Sequence, residues 1–107
     1  MQTPIKLLLI YCDETDVWGE TQMPLYEAIV RRLRQLDMAG ATVQTGIMGF
    51  GSHLKVHRKR LFGISDDRPV IISVADNEAK LRAILPEIRS MIQEGLVLLI
   101  DAEVIPE

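Results

Sequence analysis

Ile5-Lys6-Leu7-Leu8-Leu9-Ile10-Tyr11-Cys12 decides how this 107-residue chain is read. The run is rich in strand formers and is bounded by Pro4 on one side and by the acidic Asp13-Glu14-Thr15-Asp16 on the other, which spells a strand closed by a turn. With side chains alternating along a strand, Ile5, Leu7 and Leu9 share one face while Leu8, Ile10 and Cys12 share the other. Both faces are apolar. Two later runs do the same: Val70, Ile72 and Val74 oppose Ile71 and Ala75, and Leu96, Leu98 and Ile100 oppose Val97 and Leu99. A sheet covered by helices on one side alone should alternate apolar and polar, because its bare side meets water. Each large aliphatic side chain left wet forgoes about 1.5–3 kcal/mol. A chain of 107 residues supplies no third layer. The second face is therefore expected to pack on further copies of the chain in a closed symmetric oligomer, or else under the chain's own long loop.

Working outward, Pro24 is expected as a first helical residue, with Leu25, Ile29, Leu33 and Leu36 at helical spacing until Gly40. Ala41 to Phe50 reads as a second strand whose interior Gly46 and Gly49 suggest a bulge or a close backbone approach. Residues 51–67 hold no sustained period and read as a long loop with some short turn or strand in it. Val70–Ala75 is the third strand. Asp76 is the expected N-cap of a second helix carried by Leu81, Ile84, Leu85, Ile88, Met91 and Ile92, with Pro86 expected to kink or split it and Gly95 to end it. Leu96–Ile105 is the fourth strand. The order βαββαβ predicts an α+β, ferredoxin-like fold: a four-stranded antiparallel sheet with two helices on one face, in a single domain spanning 1–107.

Composition narrows the function classes. The net charge is −3, but it is uneven: −2 over residues 1–50, +3 over 51–70 and −4 over 71–107, so the loop is a basic island. Leu, Ile, Val and Phe make up 35 of the 107 residues, enough for a folded core. No apolar run reaches the roughly 18 residues that cross a bilayer, and the first residues lack a signal-peptide pattern, which points to a cytoplasmic protein not inserted in the membrane. A lone Cys12 forms no internal disulfide. Nucleic-acid binding is disfavoured by the negative charge, by only five aromatic residues, and by a third strand, Val70-Ile71-Ile72-Ser73-Val74, with no ring for stacking a base. No nucleophile–base pair or paired-carboxylate motif at recognisable spacing indicates an enzyme.

The run that could carry chemistry is Gly46-Ile47-Met48-Gly49-Phe50-Gly51-Ser52-His53, followed by Lys55, His57, Arg58, Lys59 and Arg60. Its glycines admit two readings: a backbone nest for an anion, with basic counter-charge beside it, or a coiled strand end leading into a loop. Candidate ligand-binding residues are Gly49, Phe50, Gly51, Ser52, His53, Lys55 and Arg58. His53 and His57, one helical turn apart, with Cys12 as a third ligand, form the alternative of a soft-metal site. Trp18 reads as a plug at a core edge or a subunit contact, Tyr26 likewise, Glu27–Arg31 as a modest ion pair on a solvated face with Arg32 and Arg34, and Asp66-Asp67-Arg68-Pro69 as a turn.

Ile10-Tyr11, Trp18-Gly19 through Pro24-Leu25-Tyr26-Glu27-Ala28-Ile29, Gly40-Ala41-Thr42-Val43, Gly46-Ile47-x-Gly49-Phe50-Gly51, His53, His57, Leu85-Pro86 and Glu94-Gly95-Leu96-Val97 together resemble the short PII-like proteins of domain of unknown function family 190. Gly49-Phe50-Gly51 is similar to the turn at the base of the T-loop in PII signalling proteins. The resemblance implies a ferredoxin-like homotrimer that binds an adenine nucleotide in clefts between subunits and moves a T-loop, here 51–67, to control a partner such as a membrane transporter. Where PII proteins continue the turn with Arg-Gln, this chain has Ser52-His53, and a glycine-rich phosphate loop before the last strand is replaced by Gln93-Glu94-Gly95. An AMP- or ADP-type effector is thus the expectation, rather than a triphosphate with 2-oxoglutarate. The alternative is a metal-ion-binding trimer of the metal-tolerance type.

Overall fold

The computed structural model describes residues 4–20, 22–50, 56–58 and 68–107. In chain order they form β1 (Ile5–Asp13), β2 (Val17–Trp18), β3 (Met23–Pro24), α1 (Leu25–Gln35), β4 (Thr42–Thr45), β5 (Met48–Phe50), β6 (Val56–Arg58), β7 (Pro69–Asn77), α2 (Glu78–Met91) and β8 (Leu96–Ala102). Four of these strands make one antiparallel sheet in the order β4-β7-β1-β8, and two helices cover one of its faces. This is the expected ferredoxin-like α+β architecture. Val17 pairs with Pro24 and Trp18 with Met23, so the segment expected as a plain loop carries a small hairpin.

The core sits between the helices and the covered face of the sheet. Leu8, Ile10 and Cys12 of β1 and Val70, Ile72 and Val74 of β7 meet Leu25, Ala28, Ile29 and Leu33 of α1 and Leu81, Ile84, Ile88 and Met91 of α2. Those spacings are why each segment takes its form: every second residue buried gives a strand with one inner face, and every third or fourth gives a helix with one inner stripe. The other face of the sheet is also apolar, as the strand patterns require. Across it Leu9 stands beside Leu98, Leu7 beside Ile100, and Tyr11 beside Leu96 and Ile71. Leu96, Leu98 and Ile100 remain 51%, 37% and 43% exposed, a row of large aliphatics facing out from an edge strand.

Several boundaries differ from expectation. Pro24 is not in α1 but caps it, its ψ of 135° keeping it extended and paired in β3. The helix stops at Gln35 rather than at Gly40 because Asp37 adopts a left-handed φ of 62°. With Asp37 N–H on Arg34 C=O at 3.1 Å and Met38 N–H on Leu33 C=O at 3.1 Å, this is a Schellman closure made without glycine. The second helix is capped by Asn77, whose side chain accepts from Lys80 N–H at 2.8 Å, and not by Asp76. Pro86 does not split α2, which runs unbroken from Glu78 to Met91 with Pro86 on its exposed side. That helix ends at Met91, ahead of Gly95, and β8 ends at Ala102, short of Ile105.

Candidate ligand site at the loop base

The expected second strand breaks at Gly46-Ile47, and the break builds the loop's base. After β4, Gly46 N–H donates to Pro69 C=O at 2.7 Å, tying the outgoing chain to the first residue of β7. A Cβ at Gly46 would lie 2.7 Å from Pro69 Cγ, and one at Gly49 would lie 3.1 Å from the same atom. These two glycines are therefore there to admit the proline ring, the close backbone approach that the sequence suggested. They do not form a nest: among the described glycines only Gly19 has left-handed φ, and Gly49 lies in extended β5. An anion nest needs alternating backbone hand, which an extended strand denies it.

Beyond the break, β5 pairs antiparallel with β6, setting Met48 opposite Arg58, Gly49 opposite His57 and Phe50 opposite Val56. This hairpin is the short strand expected within the loop. It also puts His57 in extended backbone, so the single helical turn that was to bring His53 and His57 together is not formed at His57. Gly51, Ser52, His53 and Lys55 lie outside the described residues, as do Lys59, Arg60 and Asp66-Asp67. Of the expected ligand-binding residues, Gly49, Phe50 and Arg58 come together as backbone at this hairpin.

Cys12 is elsewhere in chemical terms. It is buried in the core on the covered face, and burial, with the Asp16 and Asp13 charges, pushes its thiol from an ordinary 9.0 up to about 12. The thiolate that a soft metal requires is disfavoured there. Among the described residues, no three His, Cys, Asp or Glu side chains are grouped as metal ligands.

Arg68 is the residue that sequence reasoning missed. It was read only as part of a turn, yet its carbonyl accepts from Glu14 N–H at 2.9 Å and its Nε is buried with no hydrogen-bond partner among the described residues. An arginine immediately before the proline that closes the loop was the only signal available. On the helix side, a groove of about 440 Å³ runs between the β2–β3 hairpin and the two helices, with Trp18, Met23 and Met91 as apolar lining and Arg32, Gln35 and Glu87 as polar lining. Trp18 is 42% exposed there, so it does not plug the core. Arg31 reaches Glu27 at 3.0 Å as expected, whereas Arg32 crosses to Glu87 of α2 and holds that carboxylate below its ordinary range by hydrogen bonding.

Comparison with known proteins gives a consistent picture. Residues 5–104 match the DUF190 family, described as Uncharacterized ACR, COG1993. A UPF0166 protein of Aquifex aeolicus is 32% identical over 100 residues, covering 94% of this chain and 92% of that protein. The UPF0166 protein MJ1524 of Methanocaldococcus jannaschii is 35% identical over 101 residues, covering 92% and 90%. The crystal structure of the divalent ion tolerance protein CutA1 from Ehrlichia chaffeensis superposes with a TM-score of 0.63 over all of this chain and 89% of that one, at 12% identity, a likeness of fold.

Proposed function

The chain belongs to the DUF190 family, and on that premise we propose that it is a PII-like regulator: a homotrimer that binds a small adenine-nucleotide effector, of AMP or ADP type, in a cleft between subunits near Gly49–His53. The effector then acts on a partner, such as a membrane transporter, through residues 51–67. The observation that carries this reading is the apolar outer face of the sheet, with Leu96, Leu98 and Ile100 in a row on an edge strand. Burying that row against other copies recovers the transfer free energy of several large side chains. In the proposed trimer the loop base, where Pro69 packs over Gly46 and Gly49, would line the cleft with a neighbouring subunit. Ligand binding there would favour one arrangement of the loop over another, and that differential affinity is what a switch needs. Light scattering on the purified chain, joined to calorimetry with AMP, ADP and ATP, tests it. A mass of three chains and heat with AMP or ADP are expected; a monomer that evolves no heat with any of the three rejects the reading.

A second reading, a metal-ion-binding trimer of the metal-tolerance type using His53, His57 and Cys12, draws on the fold likeness to a divalent ion tolerance protein. The buried, high-pKa thiol of Cys12 weighs against its share of that site. Elemental analysis after dialysis decides: less than about a third of an equivalent of zinc or copper per chain ends it, since a site shared by three copies needs at least that much.

A further inference from the structure

Arg68 stands where the chain enters β7, with its backbone held on both sides. Glu14 N–H donates to its carbonyl at 2.9 Å, and the next residue, Pro69, accepts from Gly46 N–H at 2.7 Å while its ring fills the space over Gly46 and Gly49. Its Nε is the buried side-chain nitrogen or oxygen that has no partner among the described residues. Burying an unsatisfied donor costs about 1–3 kcal/mol, more when it is charged, and such atoms are rare enough to require a reason. Carboxylates stand close by in sequence and register, since Asp13 is opposite Pro69 and Glu14 is bonded to Arg68, yet none of Asp13, Glu14 or Asp16 accepts from Nε.

We infer that Arg68 is an anion-binding residue whose Nε, unpaired within the chain, is the donor at the loop base for the phosphate of a bound ligand. The inference rests on the effector reading above and names the residue that would hold the effector's phosphate. Nε–H and a terminal N–H of guanidinium form a planar fork that fits two oxygens of one phosphate, which a lysine ammonium does not reproduce. The fixed backbone at 68 and 69 means that little ordering is lost when the ligand arrives. A carboxylate from another copy of the chain is the competing occupant, and the test separates the two.

The test compares the full chain with Arg68→Met, which keeps the stem and removes the donors, and with Arg68→Lys. Thermal midpoints are measured without ligand, with AMP and with inorganic phosphate, alongside AMP affinity by calorimetry and mass by light scattering. Three results are expected: the ligand-free midpoint of R68M does not fall below that of the parent, AMP and phosphate raise the parent midpoint, and R68M and R68K each bind AMP at least tenfold more weakly. A ligand-free R68M midpoint several degrees lower overturns the inference, because Nε would then have a partner within the protein. A reduced mass for R68M overturns it in favour of the neighbouring copy's carboxylate. Undiminished AMP binding by R68M sinks this inference and leaves the effector reading standing, whereas a parent chain that answers neither AMP nor phosphate sinks both.

Discussion

At three glycines an added methyl group meets three different surroundings. A Cβ at Gly95 would fall 2.3 Å from the carbonyl oxygen of Tyr11 and 2.8 Å from Ile92 Cγ2; at Gly46 it would fall 2.7 Å from Pro69 Cγ; at Gly40 nothing lies within 4 Å. The Tyr11 carbonyl belongs to the central strand and cannot move without the sheet, while a proline ring can shift with its strand end. Alanine should therefore cost more than about 3 kcal/mol at Gly95, about 1–3 kcal/mol at Gly46 and within about 0.5 kcal/mol of nothing at Gly40. Urea midpoints of the three variants check the order, and equal midpoints for Gly40→Ala and Gly46→Ala would refute the role given to Pro69. Cys12 supports a second prediction. Its thiol is held protonated by burial first and by Asp16 and Asp13 next, at about 12 against an ordinary 9.0. The native state thus keeps a proton that the unfolded chain releases, so the stability linked to Cys12 is complete below pH 9.0 and declines as pH rises toward 12. At pH 8 a thiol reagent should label Cys12 only as the protein unfolds; prompt labelling of the native chain would contradict its burial.

At the level of elements, the helix ends separate what was legible from what was not. The periods of Leu25/Ile29/Leu33 and Leu81/Ile84/Ile88 mark both helices because burial of one stripe forms them, whatever their termini do. The termini depend on which of several adjacent polar residues wins. Asp76 and Asn77 are both good N-caps, and Asn77 takes the cap because Asp76 is engaged elsewhere: it accepts from Ala39 N–H at 3.0 Å and pairs with Lys80 at 3.2 Å. Burial alone would raise the Asp76 carboxyl, but bonds from Ala39, Asn77 and Lys80 hold it below its ordinary 3.8. Its stabilising effect is hence full above that value and lost as pH falls through the lowered one. Gly40 drew the predicted end of α1 five residues too far because only a backbone angle reveals that Asp37 makes the left-handed turn. Asn77→Ala should cost about 1 kcal/mol, and Asp37→Gly should gain about 0.5–1 kcal/mol by relieving that conformation. Chemical denaturation measures both, and a neutral Asn77→Ala would mean the cap bond carries no weight.

For the whole molecule, the two-faced apolar patterns of β1, β7 and β8 were legible because strand alternation maps residue identity directly onto face, and the exposed row Leu96, Leu98 and Ile100 is where that pattern leads. The base of the loop was less so, since the contact of Gly46 and Gly49 with Pro69 joins residues some 20 apart in sequence, and no local pattern reports which strand end a glycine will face. If the outer face is the subunit contact, a charge at its middle must break assembly without harming the core. Leu98 is the residue to change: it is 37% exposed on β8 and lies across from Leu9 on the outer face, away from both helices. Leu98→Asp should yield a single chain by light scattering at concentrations where the parent forms the proposed trimer. Val104→Asp, which adds the same charge at a residue 64% exposed beyond the end of β8, should leave the assembly intact. An isolated carboxylate trapped in a packed apolar interface costs several kcal/mol per copy, and three copies would multiply that cost well past what a small interface supplies. The variant monomer should keep the parent's helix and strand content by circular dichroism, because the covered face is untouched. A Leu98→Asp protein that still sediments as three chains would show that the outer face is not the contact, and the apolar row would then need a different cover.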